Sequence, residues 1–217
     1  MIKKAICVGF ALLGMFLITA CGSGGDGLRG PGNAEELSAF DQVHRMLAEL
    51  QTYRAIATVE YRSNKGVNVY ETVQHARITG EYRVEVTGPD HVAGAITVNN
   101  GQTIAQFNAR AEGRVAVPVN ETPERSEIFL TSFIRNYFAS QDVSIMVADM
   151  DEGVRTVLEA AIPGGHPYLA MARLWVDNAT LTPVKLVIFD PEGTERIIIT
   201  YQAFEMNIVL DDAIFSV

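Results

Sequence analysis

The side chains best able to do chemistry are four histidines and a scatter of carboxylates, and their spacing assembles no site. His44, His75, His91 and His166 stand far apart, and none has a second histidine at the helical step of a metal pair. No Gly-x-Ser-x-Gly elbow, phosphate loop or dinucleotide fingerprint occurs. His166 lies in Pro163-Gly164-Gly165-His166-Pro167, which reads as a solvated turn rather than the seat of a general base. His75 falls within a strand pattern, where cross-strand packing explains it. Asp149, Asp151 and Glu152 gather around a turn as calcium ligands do. The later bidentate Glu of a calcium loop is missing, so a solvated hairpin turn is expected. Asp211-Asp212 reads as a surface pair. The expectation is a protein with no catalytic residues, no metal site and no enzyme activity. A site gathered from distant strands stays open.

Cys21 is the reactive residue with a defined setting. Lys3 and Lys4 precede an uncharged apolar run from Ala5 to Ala20, shorter than the ~20 residues that span a bilayer as a helix. The run fits the apolar region of an export leader, residues 1–20, rather than a transmembrane anchor. Leu17-Ile18-Thr19-Ala20-Cys21-Gly22 resembles the lipobox of bacterial lipoproteins, whose Cys takes a diacylglyceryl group and becomes the first residue. Cys21 is therefore the expected lipid attachment site, with palmitate-type acyl groups and an N-acyl group as its only covalent additions. No cofactor is expected. Residues 21–32 are rich in glycine, without apolar period, and read as a flexible tether. Two acyl chains make such anchoring stable, at about 0.8 kcal/mol per buried methylene.

Composition sets further bounds. The chain has 217 residues, is 48% hydrophobic and 20% charged, and carries a net charge of −9. It is neither disordered nor collagen-like. Without Lys3 and Lys4 there are 15 basic against 26 acidic residues, a net of −11, which repels nucleic acid. Cys7 and Cys21 both precede the folded part, so neither a disulfide nor a cysteine zinc site holds it together.

One domain is expected over residues 33–217. Leu37, Phe40, Val43, Leu47 and Leu50 recur at helical steps between Asn33 and Tyr53. From Tyr53 the period becomes two, with Tyr53, Ala55, Ala57, Val59 and Tyr61 on one face. Further strands follow, with a tight hairpin at Asn99-Asn100-Gly101 and a short strand, Gly113 to Asn120, whose Pro118 places it at an edge or end. A second helix is expected from Thr122 as N-cap and Pro123 as first helical residue, carrying Phe129, Phe133, Tyr137 and Phe138 as an aromatic stripe. The remaining strands are joined by short turns, so their pairing is antiparallel. The expected fold is mainly β with flanking helices: a curved antiparallel sheet forming an incomplete β-barrel with helices packed in its concave face. Val184, Leu186 and Ile188 oppose Val187 and Phe189, so both faces of that strand need cover.

The lipobox, the leading amphipathic helix and the strand order resemble the LolA/LolB-like superfamily of lipoprotein-handling proteins. Leu174-Trp175-Val176-Asp177, Thr180 to Leu186, Asp190-Pro191-Glu192-Gly193 and the end from Tyr201 to Phe215 carry that likeness. Glu127-Ile128-Phe129-Leu130 and Phe133-Ile134-Arg135-Asn136-Tyr137 resemble the GerS-type germination lipoproteins of spore-forming bacteria. The resemblance implies one of two roles. GerS-like members are partners of a cell-wall amidase active on spore-cortex peptidoglycan. LolA/LolB-like members take acyl chains into an apolar cavity. The chain's own lipobox, and its end soon after Phe215, weigh against a freely diffusing carrier.

The leading expectation is a non-catalytic binding partner or scaffold in sporulation and germination. It would be lipid-anchored on the extracytoplasmic face of the cell membrane and dock an amidase-like envelope protein. Free strand edges suit such docking and also permit a homodimer. The alternative is lipid or lipoprotein transfer through a cavity lined by Phe129, Phe133, Tyr137, Phe138 and Trp175. A plugged core is the favoured reading of those aromatics. Gly22 after the Cys would give an outer-membrane address in a two-membrane cell.

Overall fold

The computed structural model describes residues 27–108, 113–119, 126–151 and 153–217. Helix α1 (Ala34–Glu49) opens the domain. The Asn33 side chain caps it, accepting a hydrogen bond from the Glu36 amide at 2.9 Å. Six strands follow: β1 (Thr52–Ser63), β2 (Gly66–Arg77), β3 (Tyr82–Gly88), β4 (Ile96–Asn99), β5 (Thr103–Asn108) and β6 (Gly113–Pro118). Helix α2 (Leu130–Ala139) separates them from β7 (Val143–Met150), β8 (Gly153–His166), β9 (Leu169–Asp177), β10 (Pro183–Phe189) and β11 (Glu195–Met206). A 3-10 turn at Asp212–Phe215 ends the chain.

The strands form one sheet in the order β6-β5-β4-β3-β2-β1-β11-β10-β9-β8-β7, antiparallel throughout. The first strand pairs with the last, so the two outermost strands, β6 and β7, are neighbours in sequence. Tight turns produce this meander. At Asn99-Asn100-Gly101 the Asn99 Oδ1 accepts from the Gly101 amide at 2.8 Å, and Gly101 takes φ +87°, a conformation glycine adopts without steric cost.

The sheet curves. Phe129, the N-cap of α2, stacks on Tyr82 of β3, and α2 itself packs on β8. Those strands stand six places apart in the sheet, about 29 Å if it were flat. A ten-residue helix is only about 15 Å long. The sheet must therefore wrap around the helices, as an unclosed barrel. Ala55, Ala57, Ala76, Ala160 and Ala172 belong to the same buried cluster as the helix residues, and their small side chains leave room for that approach.

Two expectations need adjustment at residue level. Leu37 is 53% exposed, because the buried stripe of α1 starts a turn later and holds Val43 and Leu47, with Leu50 just beyond. Thr122 and Pro123 lie outside the described residues, and α2 starts only at Leu130, after a turn through Glu127 and Ile128.

Candidate functional site

The concave face is filled by side chains of the chain itself. Phe129, Phe133 and Tyr137 join Leu47, Tyr53 and Tyr82 in one buried cluster that also reaches β8 to β11. Phe133 and Tyr137 are stacked at 5.9 Å, and Tyr82 and Phe129 at 4.2 Å. Phe138 is 45% exposed and turns to His44, ring centres 5.1 Å apart, at the junction of the two helices.

A polar thread crosses this apolar interior. The Leu130 amide, one of the unpaired donors at the start of α2, donates to the Tyr53 hydroxyl at 3.3 Å. Tyr53 in turn donates to Gln74 Oε1 at 3.2 Å, and Thr72 donates to the Ala57 carbonyl at 2.9 Å. Burial pushes the Tyr53 phenol well above its usual range, and also that of Tyr201. The Tyr201 hydroxyl is buried and finds no partner among the described residues.

Trp175 is placed on the opposite, convex face. It packs with Val157, Val187, Phe189, Ile198 and Ala148 in a second cluster. The face is set by period two along β9: Leu174 and Val176 point inward, so Trp175 points out. Arg173 and Lys185 lie over its ring at 5.8 and 5.0 Å, and Arg173 also covers Phe189 at 4.9 Å. Leu28 packs against the same cluster. Cationic stems and one leucine thus supply the cover that the two-sided apolar strands require.

Leu28 lies within the segment expected to be free tether. Arg29 pairs with Val147 of β7 through two backbone hydrogen bonds of 3.0 and 2.6 Å. Its guanidinium grips Glu36 at 2.6 and 2.9 Å and Asp149 at 3.1 and 3.2 Å. Arg29, with the Gly32 amide, holds the Glu36 carboxyl down at about 2. A Leu-Arg pair inside a glycine-rich run was the sole sequence trace of this strap. Cys21 lies outside the described residues.

The titratable groups singled out by sequence do not converge. His44 Nδ1 is 3.4 Å from the Tyr137 hydroxyl, in an aromatic setting. His75 sits opposite Arg54 and Arg83 on neighbouring strands; burial first, then those cations, lower its pKa. His166 is exposed and its Nδ1 accepts from the Tyr168 amide at 3.1 Å. Asp149 serves Arg29, and Glu152 lies outside the described residues. Asp211 and Asp212 do more than form a surface pair. Asp211 caps the final turn, and Asp212 binds Arg77 at 2.6 Å, whose guanidinium covers Phe215. Among the described residues no group of three His, Cys, Asp or Glu side chains could hold a metal ion.

Asp177 and Asp190, both within stretches that carry the superfamily likeness, are turn hubs. Burial alone would raise the Asp177 pKa, but Thr180 and Arg155 outweigh it and the carboxyl is lowered. Asp190 accepts from the Glu192 and Thr194 amides and from Arg196 at 2.6 Å. Its carboxyl is likewise lowered, burial opposing and the Thr194 amide and Arg196 prevailing. These side chains fix the hairpins that follow β9 and β10.

Among the described residues, two shallow surface grooves can be delineated. One, about 330 Å³, runs between the end of α1 and α2 and is lined by Leu47, Leu50, Ile78, Ile134, Arg135 and Phe138. The other, about 370 Å³, lies along β7 to β9 and includes Ser144, Glu159 and Met171.

The strands thus form one unclosed, curved antiparallel sheet with two helices. The chain belongs to the YdcC-like sporulation protein family, whose profile matches residues 32–215. Among solved structures it is similar to an uncharacterized conserved protein from Thermus thermophilus, at 16% identity and TM-score 0.51, over 82% of this chain and 91% of that one. It is also similar to a chain in the Clostridioides difficile complex of the CwlD amidase with the GerS lipoprotein, at 25% identity and TM-score 0.47, over 82% and 98%. A third similar structure is the LolA superfamily protein NE2245 from Nitrosomonas europaea, at 12% identity and TM-score 0.43, over 83% and 96%. No curated protein sequence matches the chain. No helix among the described residues is long and apolar enough to cross a membrane.

Proposed function

We propose that the chain is a lipid-anchored, non-catalytic docking protein of the sporulating cell envelope. Cys21 carries the diacylglyceryl group, and the domain hangs on the extracytoplasmic face of the membrane. The observation that carries this reading is the filled concave face, with Phe129, Phe133 and Tyr137 buried in the main core. A bowl occupied by its own aromatics supports recognition by the exterior. Membership of the YdcC-like family supports the sporulation setting. The resemblance of Glu127–Leu130 and Phe133–Tyr137 to GerS-type lipoproteins makes a cortex amidase the partner to test. The terminal strand β6, with Val115 64% exposed, offers that partner a sheet edge.

The test is titration of the purified full chain with the cortex amidase of the same cell. A saturable complex is expected; two components that stay separate at micromolar concentrations contradict the reading. Replacing Cys21→Ala should release the chain from the membrane fraction, and its retention there would contradict the anchor.

A second reading, acyl binding, draws on the groove beside α2. Its apolar walls and Arg135 suit a fatty acyl chain with an anionic head, and its volume lies at the low end for ligand sites.

A further inference from the structure

The described chain enters this fold at a fixed point. Arg29 is paired antiparallel with Val147, so the chain running back toward Cys21 heads along β7 in the direction of Met150. The pairing is held at three levels. Two backbone hydrogen bonds join the strap to β7. The Arg29 side chain bridges Glu36 of α1 and Asp149 of β7. Leu28 packs on the convex cluster that contains Trp175. From Cys21 to Gly27 the chain then has six residues of reach, at most about 21 Å when fully extended.

We infer that the Leu28–Arg29 strap is a latch that orients the domain on the bilayer, turning the β7–β8 hairpin toward the lipid surface and the β8–β9 turn away from it. The inference rests on the reading that Cys21 is lipidated. Without the latch, the whole glycine-rich segment up to α1 would be free, and the domain would tumble on a tether roughly twice as long. With it, the end of β7 at Met150 stays within the tether's reach of the membrane. The other end of β8, near Tyr168, lies about 35 Å further along the sheet at ~3.3 Å per residue, counted on β9 because β8 bulges between Ala161 and His166. Surfaces at that far end, including the β10–β11 turn at Asp190–Gly193, are presented to the envelope space where a partner would approach.

The latch also closes part of one sheet edge. Arg29 occupies the outer hydrogen-bonding side of β7 at Val147. A partner strand is thereby steered to β6, the other outermost strand.

The test uses the full lipidated chain in nanodiscs whose headgroups carry a paramagnetic chelate. Spin or fluorine labels are placed by Met150→Cys and, in a second sample, Tyr168→Cys, both positions more than half exposed. Given the ~35 Å between the two ends, relaxation by the lipid surface should be at least about tenfold stronger at position 150 than at 168. Arg29→Ala should shrink that ratio toward one. A second variant guards against misfolding: about 20 Gly/Ser residues inserted after Asp26 add roughly 25 Å of mean span, leave the strap intact, and should weaken relaxation at both labels. Equal relaxation at the two positions in a chain whose mass shows the lipid on Cys21 overturns the latch alone. A chain that carries no lipid on Cys21 overturns the anchor and the latch together.

Discussion

At the scale of single residues, two buried tyrosines separate satisfied from unsatisfied polarity. Tyr53 bridges the Leu130 amide and Gln74, so Tyr53→Phe leaves a buried donor without its acceptor and should cost about 1–3 kcal/mol in urea unfolding. Tyr201→Phe removes a hydroxyl without a partner among the described residues, and should be neutral or stabilising by up to about 1 kcal/mol. Both phenols titrate above their ordinary value of 10 in the folded chain. Their contribution to stability is therefore complete below pH 10 and is lost as the pH rises above it. Ultraviolet titration should show these two of the seven tyrosines ionising only as the protein unfolds. Glu36 acts in the opposite direction. Its folded pKa of about 2 lies below the ordinary 4.5, so its contribution is present above pH 4.5 and fades as the pH falls toward 2. Glu36→Gln should flatten the acid limb of the stability curve over that interval. Tyr53 was legible as an inward residue from its alternation with Ala55 and Ala57. The partner of its hydroxyl was not, because Gln74 and Leu130 meet it only across the folded sheet.

At the scale of elements, the aromatic stripe of α2 divides by face. Phe133 is buried and Phe138 is 45% exposed, so Phe133→Ala should cost about 3–5 kcal/mol and Phe138→Ala much less, measured by chemical denaturation. Trp175→Ala should cost about as much as Phe133→Ala while leaving the concave face intact, since Trp175 belongs to the convex cluster. The pattern of β9 carries this signal: Trp175 alternates in step with Arg173 and Asp177, whereas Ala172, Leu174 and Val176 form the wholly apolar set that faces inward. The helices and strands themselves were readable from periods of 3.6 and two. The start of α2 was less so, because Thr122-Pro123 carries a strong local helix-start signal while α2 begins at Leu130. The strap at Leu28–Arg29 was hidden for a different reason: glycine-rich composition signals flexibility, whereas its docking depends on Val147, Asp149 and Trp175, more than a hundred residues away.

At the scale of the whole molecule, the incomplete antiparallel barrel followed from short turns and a single long connection around α2. The result is a meander whose outermost strands, β6 and β7, are linked through α2 and whose concave face the two helices cover. What such a scaffold binds depends on whether that face is vacant or filled, a matter of side-chain packing that strand patterns do not reveal. The filled face, the YdcC-like family and the lipobox together support a protein that works by its exterior from a membrane anchor. Native mass spectrometry of the purified full chain, mixed with both the cortex amidase and a fatty acid, tests this most directly. The account predicts a peak for the chain bound to the amidase and none for the chain with a fatty acid. A stable acyl adduct without any amidase complex would contradict it.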